Sequence, residues 1–204
     1  MDKAREIPTG KIKILAAAKR LFAQKGFEGT TTRMIAQAAH VNEALIYRYY
    51  PTKKDLYSEI IRLKIEELNI LTENLAHPEQ NPESIPKFLK NIAIQFFSSV
   101  KDDPDFLRLL YFSALERHEL SKMFCNCFVL EIRKRLEDYV SHLIERNIFK
   151  RLNPYLISSA FIGIISHYLV VNTLFELDDR QIQENEIIDN FIEIFLDGVV
   201  QKKK

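Results

Sequence analysis

Glycine is scarce in this 204-residue chain, with five residues at positions 10, 26, 29, 163 and 198. No long run alternates polar and apolar residues with period two, so a β architecture is excluded. Cysteine is scarcer still: Cys125 and Cys127 are the whole complement. Two cysteines supply no disulfide framework, which fits a reducing cytosol. The opening "MDKAREIPTGK" is polar and lacks the apolar stretch of a secretory signal, so a cytoplasmic location is expected. Internal repeats are missing, and the one biased tract is a short lysine tail.

Reactive chemistry is missing as well. The chain has no phosphate-cradling glycine loop and no dinucleotide fingerprint, and "HELSK" carries Lys122 where a zinc helix needs a second His. His40, His77 and His142 have no partner at ligand spacing. Cys125 and Cys127 are two apart on a helix and point to different faces, so a metal or redox site with His118 is the weaker reading. No nucleophile–base pair stands out, so no enzyme, metal or cofactor is expected. One segment, residues 152–175, is long and uncharged enough to span a bilayer. It also carries Asn153, Pro154, Ser158, Ser159, Ser166, His167, Asn172 and Thr173, which suit a packed helix of an all-α protein better than lipid.

What is present is helical periodicity. In "KIKILAAAKRLFAQKG", Ile14, Leu15, Ala18, Leu21 and Phe22 share a face, and Gly26 stops the helix in the left-handed position. A short helix follows a Thr cap and buries Ile35, Ala36 and Ala39. Another follows Asn42 and ends near Tyr50. Pro51 and Thr52 break and recap the chain before a long helix from Lys53 to about residue 76. After the proline-rich linker "HPEQNPESIP", helices are expected at about 85–101, 104–116, 119–149, 154–176 and 184–201. The fold class is thus all-α with about nine helices: three short ones in front and a fourth leading into a bundle of five.

Charge is unevenly spread. Residues 1–56 hold eleven Lys/Arg against five Asp/Glu, and the rest holds eighteen against twenty-three. A basic head on an acidic body suits a polyanionic partner, although charge alone does not separate that from an ordinary solvated surface. The two short helices sharpen the choice. About eight residues, a three-residue turn and a second short helix form a helix-turn-helix layout spanning 31–50. Ile35, Ala36, Ala39, Val41, Ile46 and Tyr50 turn inward. His40 stands in the turn, where a left-handed backbone is needed and His is tolerated. Glu43, Ala44, Leu45, Tyr47 and Arg48 then face outward or stand at the helix start, where bases and phosphates are met.

Residues 8–68 resemble the DNA-binding domain of the TetR family of bacterial transcriptional regulators. The stretch "ILAAAKRLFAQKGFEGTTTRMIAQAAHVNEALIYRYYPTKKDLY" carries the likeness without a gap. The resemblance implies that Thr31 opens the motif beside Arg33. It implies that Thr32 and Asn42 hold phosphate and Ala44 admits the groove. Tyr47 would then reach a base edge or thymine methyl, while Arg48, Tyr49 and Lys53 clamp the backbone. Three positions depart from the pattern. Glu43 replaces a frequent Lys and could accept from a cytosine N4. His40 replaces the turn Gly, and Leu45 replaces a small polar residue, where it could touch a thymine methyl.

The resemblance also implies that residues 69–204 bind an effector and form a homodimer. Ser159, Gly163 and Ser166 make a stripe of small residues on one helix. "NEIIDNFIEIFLDGVV" is expected to bury Ile187, Ile188, Phe191, Ile194 and Phe195. By resemblance this last helix pair dimerises, and a two-fold dimer suits a palindromic operator on double-stranded DNA. Candidates to line a pocket for a small, mostly apolar effector are Phe96, Phe97, Tyr111, Phe112, Phe124, Phe128, His167, Tyr168 and Asn172. The competing reading makes the phenylalanines plain core. The expected function is a repressor released by its effector. The alternatives are a regulator controlled by a protein partner, and an enzyme or metal sensor using the cysteines.

Overall fold

The computed structural model describes residues 9–73, 83–177 and 182–201. The helices are α1 (Thr9–Lys25), α2 (Thr32–Ala39), α3 (Glu43–Tyr49), α4 (Lys53–Glu73), α5 (Ser84–Asp102), α6 (Pro104–Leu115), α7 (Glu119–Phe124), α8 (Leu130–Glu145), α9 (Pro154–Leu174) and α10 (Glu184–Val199). A π turn, Cys125–Val129, joins α7 to α8 without a break. Counting that run once, the described residues hold the nine helices expected. The start of the linker, including Pro78 and Pro82, lies outside the described residues, as do the expected end of α4 near residue 76 and the lysine tail.

The expected helix over 119–149 ends earlier, at Glu145. Asn147 takes a left-handed conformation (φ 57°). The chain then reverses, and Phe149 pairs with Val200 through bonds from Lys150 N–H to the Val199 carbonyl (2.8 Å) and from Gln201 N–H to the Ile148 carbonyl (2.9 Å). Burial of the Phe149 ring supplies the apolar reason for the reversal.

The chain forms two compact units. The first comprises residues 1–66 and 103–125, the second 67–102 and 126–204. The boundary expected near residue 68 is therefore crossed again, because α6 and α7 return to the N-terminal helices. The physical cause is a set of long-range pins. Lys19 Nζ donates to Asp103 (2.8 Å), the Tyr57 hydroxyl donates to the Leu109 carbonyl (3.2 Å), and Phe27 N–H donates to Glu116 (2.9 Å). Phe22, Phe27, Tyr57 and His118 stack between these pins, with ring centres 4.3–5.8 Å apart. Lys64, on the otherwise apolar face of α4, is buried with its ammonium 3.8 Å from Asp103 and over the Phe106 ring. Burying a cation is tolerable only with such partners.

The second unit is held by one continuous apolar core. Leu89, Ala93 and Phe97 of α5, Leu136 and Val140 of α8, Phe161 and Ile165 of α9, and Ile188 and Phe195 of α10 all join it. Phe195 meets Phe161 with ring centres 5.1 Å apart. Ile194, expected to be buried, is 66% exposed, because it lies on the face of α10 turned away from this core.

Candidate DNA-binding surface

The helix-turn-helix is set by local capping. Thr31 stands before α2 with extended backbone, and its hydroxyl accepts from Met34 N–H (3.2 Å). His40 ends α2 at φ 54°, ψ 46°, the left-handed conformation anticipated for it. Its N–H donates to the Gln37 carbonyl (3.2 Å) and Val41 N–H to that of Ala36 (3.0 Å), the paired bonds of a Schellman end. Asn42 caps α3 by accepting from Ala44 N–H (2.9 Å). After Pro51, Thr52 and Asp55 cap each other's N–H groups at 2.9 and 3.1 Å and start α4.

The loop before α2 is pinned from three sides. Buried Thr30 donates its hydroxyl to the Gly26 carbonyl (2.8 Å). The Glu116 carboxylate accepts from the N–H groups of Phe27 and Glu28 at 2.9 and 3.4 Å. Gly26 itself has φ 71°, which favours glycine, and a Cβ there would sit 2.2 Å from Glu116 Oε1 and displace that carboxylate. The third pin is Lys53. Its ammonium donates to the carbonyls of Phe27 (2.6 Å) and Thr30 (2.9 Å) and lies 4.1 Å from the Phe27 ring centre. Expected to clamp the DNA backbone, Lys53 spends two of its three donors inside the domain.

The remaining predicted contacts differ in exposure and in partners. Thr31, Arg33, Asn42, Ala44, Tyr47 and Arg48 are exposed together on α2 and α3. Arg48 lies over the Tyr49 ring at 5.4 Å, and Tyr49 is half-buried. Thr32, Glu43 and Tyr47 are joined to one another: the Thr32 hydroxyl is 2.6 Å from Glu43 Oε1 and 3.0 Å from the Tyr47 hydroxyl. The Thr32 hydroxyl therefore spends its one proton on Glu43, so a phosphate contact by Thr32 would fall to its backbone N–H. Leu45 differs too. It leans on the start of α1, where a Cβ on Gly10 would meet Leu45 Cδ2 at 3.2 Å, rather than standing clear for a thymine methyl.

Several cations of the basic head are likewise engaged at home. Lys11 pairs with Glu59 (2.8 Å) and Lys54 pairs with Glu119. Arg62, first, and then Lys11 hydrogen-bond the Glu59 carboxylate and lower it from 4.5 to about 2. Counting charges along the chain could not separate these from Arg33 and Arg48, which remain exposed on the helix-turn-helix.

Residues 14–60 match the family model described as bacterial regulatory proteins, tetR family. The chain carries a tetR-type DNA-binding region. It is a DNA-binding transcriptional regulator with an all-α fold, and the family is one of regulators rather than enzymes. It is similar to YvkB, an uncharacterised HTH-type transcriptional regulator of Bacillus subtilis, with 23% identity over 94% of this chain and 97% of that protein. It is 34% identical to IcaR of Staphylococcus aureus, the negative regulator of the biofilm operon icaADBC, over 29% of this chain and 32% of that one. Among solved structures, AibR in complex with isovaleryl coenzyme A and operator DNA superposes with a TM-score of 0.71 at 17% identity, covering 91% of this chain and 97% of that one.

In this TetR-type chain the pocket candidates are divided between the two units. Tyr111, Phe112 and Phe124 belong to the first unit, and Phe96, Phe97, Phe128, His167, Tyr168 and Asn172 to the second. Tyr111, Phe112 and His167 are exposed. Phe97, Phe124 and Phe128 are buried, as the core reading requires, and Tyr168 stacks between Phe97 (5.8 Å) and Phe191 (5.4 Å). Sequence reasoning missed Tyr139 of α8. Its hydroxyl is buried in the second unit without a hydrogen-bond partner, and burial raises its pKa. No periodicity signals this, since a tyrosine on an apolar stripe reads as core.

Of the interface candidates, Phe195 belongs to the core of its own unit. Ser159, Ser166, Ile187 and Phe191 are half-buried, and Gly163 is exposed with nothing within 4 Å of a Cβ built on it. Only 28% of the most apolar part of α9 is buried, and Leu156 of α9 and Ile194 of α10 are exposed.

Proposed function

We propose that this regulator is a cytoplasmic repressor that binds a palindromic operator as a homodimer and is released by a small, mostly apolar effector. The observation that carries the reading is the rigid presentation of α3. Two side-chain caps, the left-handed turn at His40 and the Lys53 pin hold Tyr47, Ala44 and Arg48 outward together. Thr31, Arg33, Asn42, Arg48 and Tyr49 meet phosphates, Ala44 admits the groove, and Tyr47 with Glu43 meets bases. Lys53 positions the domain, with one donor left for a phosphate. Repression is supported by likeness to IcaR, a negative regulator.

Assembly follows from the apolar surface that α9 and α10 leave open. Leu156 and Gly163 of α9, with Ile187, Phe191 and Ile194 of α10, form a face that a two-fold partner would cover. For the effector, the second unit offers an apolar interior and the unsatisfied Tyr139 hydroxyl. A mostly apolar molecule with one polar end would meet both needs. That AibR, of similar fold, is found in complex with isovaleryl coenzyme A and operator DNA supports control by a bound small molecule. Release requires the effector to favour a conformation that binds DNA poorly, with α4, which has residues in both units, as the element that reports it.

Gel-shift titration of duplexes from the source genome tests the reading. Affinity should fall steeply with salt, and Tyr47→Ala should cost roughly 1–3 kcal/mol on the operator but not on random DNA. Equal losses on both would remove Tyr47 as a base reader. Once an effector is found, operator DNA must weaken its binding by the same factor by which it weakens DNA binding. Identical affinities with and without DNA would leave control to a protein partner.

A further inference from the structure

We propose that Thr32 orders the protons of a three-residue chain so that Tyr47 and Glu43 present only acceptors to DNA, and the regulator thereby selects a base amine, above all cytosine N4. The proposal rests on the DNA-binding role of α3. Its starting point is the joined group on the helix-turn-helix: Thr32 Oγ1 lies 2.6 Å from Glu43 Oε1 and 3.0 Å from the Tyr47 hydroxyl.

The direction of each bond follows from counting protons. An ionised carboxylate can only accept, so the short contact is the Thr32 hydroxyl donating to Glu43. A hydroxyl has one proton. Thr32 therefore cannot also donate to Tyr47, and the 3.0 Å contact must be the Tyr47 hydroxyl donating to Thr32. That uses the only proton of the Tyr47 side chain. The phenolic oxygen, on a side chain about half exposed, offers lone pairs alone to anything that approaches. Glu43, in the first turn of α3, offers the same.

An acceptor-only pair cannot bind phosphate, which is itself an acceptor. In the major groove, guanine presents N7 and O6 and thymine presents O4, all acceptors. Adenine presents its N6 amine beside the N7 acceptor. Cytosine presents the N4 amine with no acceptor next to it. The group therefore repels guanine and thymine, tolerates adenine, and fits cytosine best. A tyrosine without the relay could turn its proton outward and accept any of the four.

Selection of duplexes from a randomised pool by the full-length protein tests this. The wild-type chain should select cytosine at one position of each half-site, with adenine next. Thr32→Val keeps the shape and the Thr31 cap but removes the relay, so preference for cytosine over thymine there should fall about tenfold. Thr32→Ser restores the hydroxyl and should restore the preference. Replacing the selected cytosine with 2-pyrimidinone, which lacks the amine, should weaken wild-type binding about tenfold and weaken Tyr47→Phe, which keeps Glu43 but not the phenolic acceptor, by less. A Thr32→Val chain that selects the same bases as wild type overturns the relay, as does undiminished binding to the amine-free base. A wild-type chain that selects no sequence at all would instead overturn the DNA-binding role beneath it.

Discussion

The two units are stabilised by different means. In the first, polar groups reach across long stretches of chain to fix backbone: Lys53 to the Phe27 and Thr30 carbonyls, Glu116 to the Phe27 and Glu28 amides, Lys19 to Asp103. In the second, apolar contact dominates, from Leu89 on α5 to Phe195 on α10, and an apolar face is left over. Directional bonds give a surface a defined geometry, which a base-reading helix requires. Apolar packing specifies volume more than direction, and in the second unit it leaves exposed apolar side chains such as Leu156 and Ile194 over.

The largest effect should come from the apolar side. Phe161→Ala removes a fully buried ring and should cost the second unit about 3–5 kcal/mol. Hydrogen exchange read peptide by peptide should show α5, α8, α9 and α10 opening together while α1–α3 stay protected. Equal loss of protection in both units would mean they do not fold by separate means.

On the polar side, Lys53→Met should cost the first unit about 2–3 kcal/mol, because two carbonyls lose a charged donor. Its effect on DNA should appear as weaker binding to every sequence, together with a lower melting temperature of the unit. A variant that melts normally yet loses affinity would show Lys53 to be a phosphate clamp after all.

Gly163→Leu probes the face left over. Nothing lies near a Cβ there, so the folded unit should accept the side chain, whereas a two-fold partner packed on it should be pushed off at a cost of about 1–3 kcal/mol. Sedimentation at micromolar concentration should shift from dimer towards monomer with the thermal melt unchanged. A stable dimer would place the interface elsewhere.

The smallest effect should be acid sensitivity confined to the polar unit. Arg62 and Lys11 hold the folded Glu59 carboxyl at about 2, below its ordinary 4.5. A depressed carboxyl pKa contributes stability above the unfolded value and loses it as pH falls from about 4.5 towards 2. Glu59→Gln should flatten that part of the pH–stability curve for α1 and α4 and leave the second unit alone. An unchanged curve would assign the acid sensitivity to other carboxylates.

How far each feature could be read from sequence follows the range of the interaction behind it. Helix starts at Thr31, Asn42 and Thr52 and the left-handed stops at Gly26 and His40 depend on groups within five residues, and all were legible. The inward set of Ile35, Ala36, Ala39, Ile46 and Tyr50 was legible for the same reason: helical period alone decides which residues share a face. The end of α8 was not, because Phe149 is drawn back by Val200, fifty-one residues later in number.

The amino-acid order by itself determined an all-α chain with a helix-turn-helix near its front, since capping and periodicity are local and survive any tertiary arrangement. Only the tertiary structure decided what the polar groups of that motif do. Lys53 is turned inward by carbonyls more than twenty residues earlier, Leu45 is drawn against Gly10, and α6 is recruited to the first unit by Lys19 and Tyr57. The polarity of Tyr47 depends on Thr32, fifteen residues away, and on a carboxylate between them. A side chain's type sets how many protons it can give, but where it gives them depends on which acceptors folding brings within three ångströms.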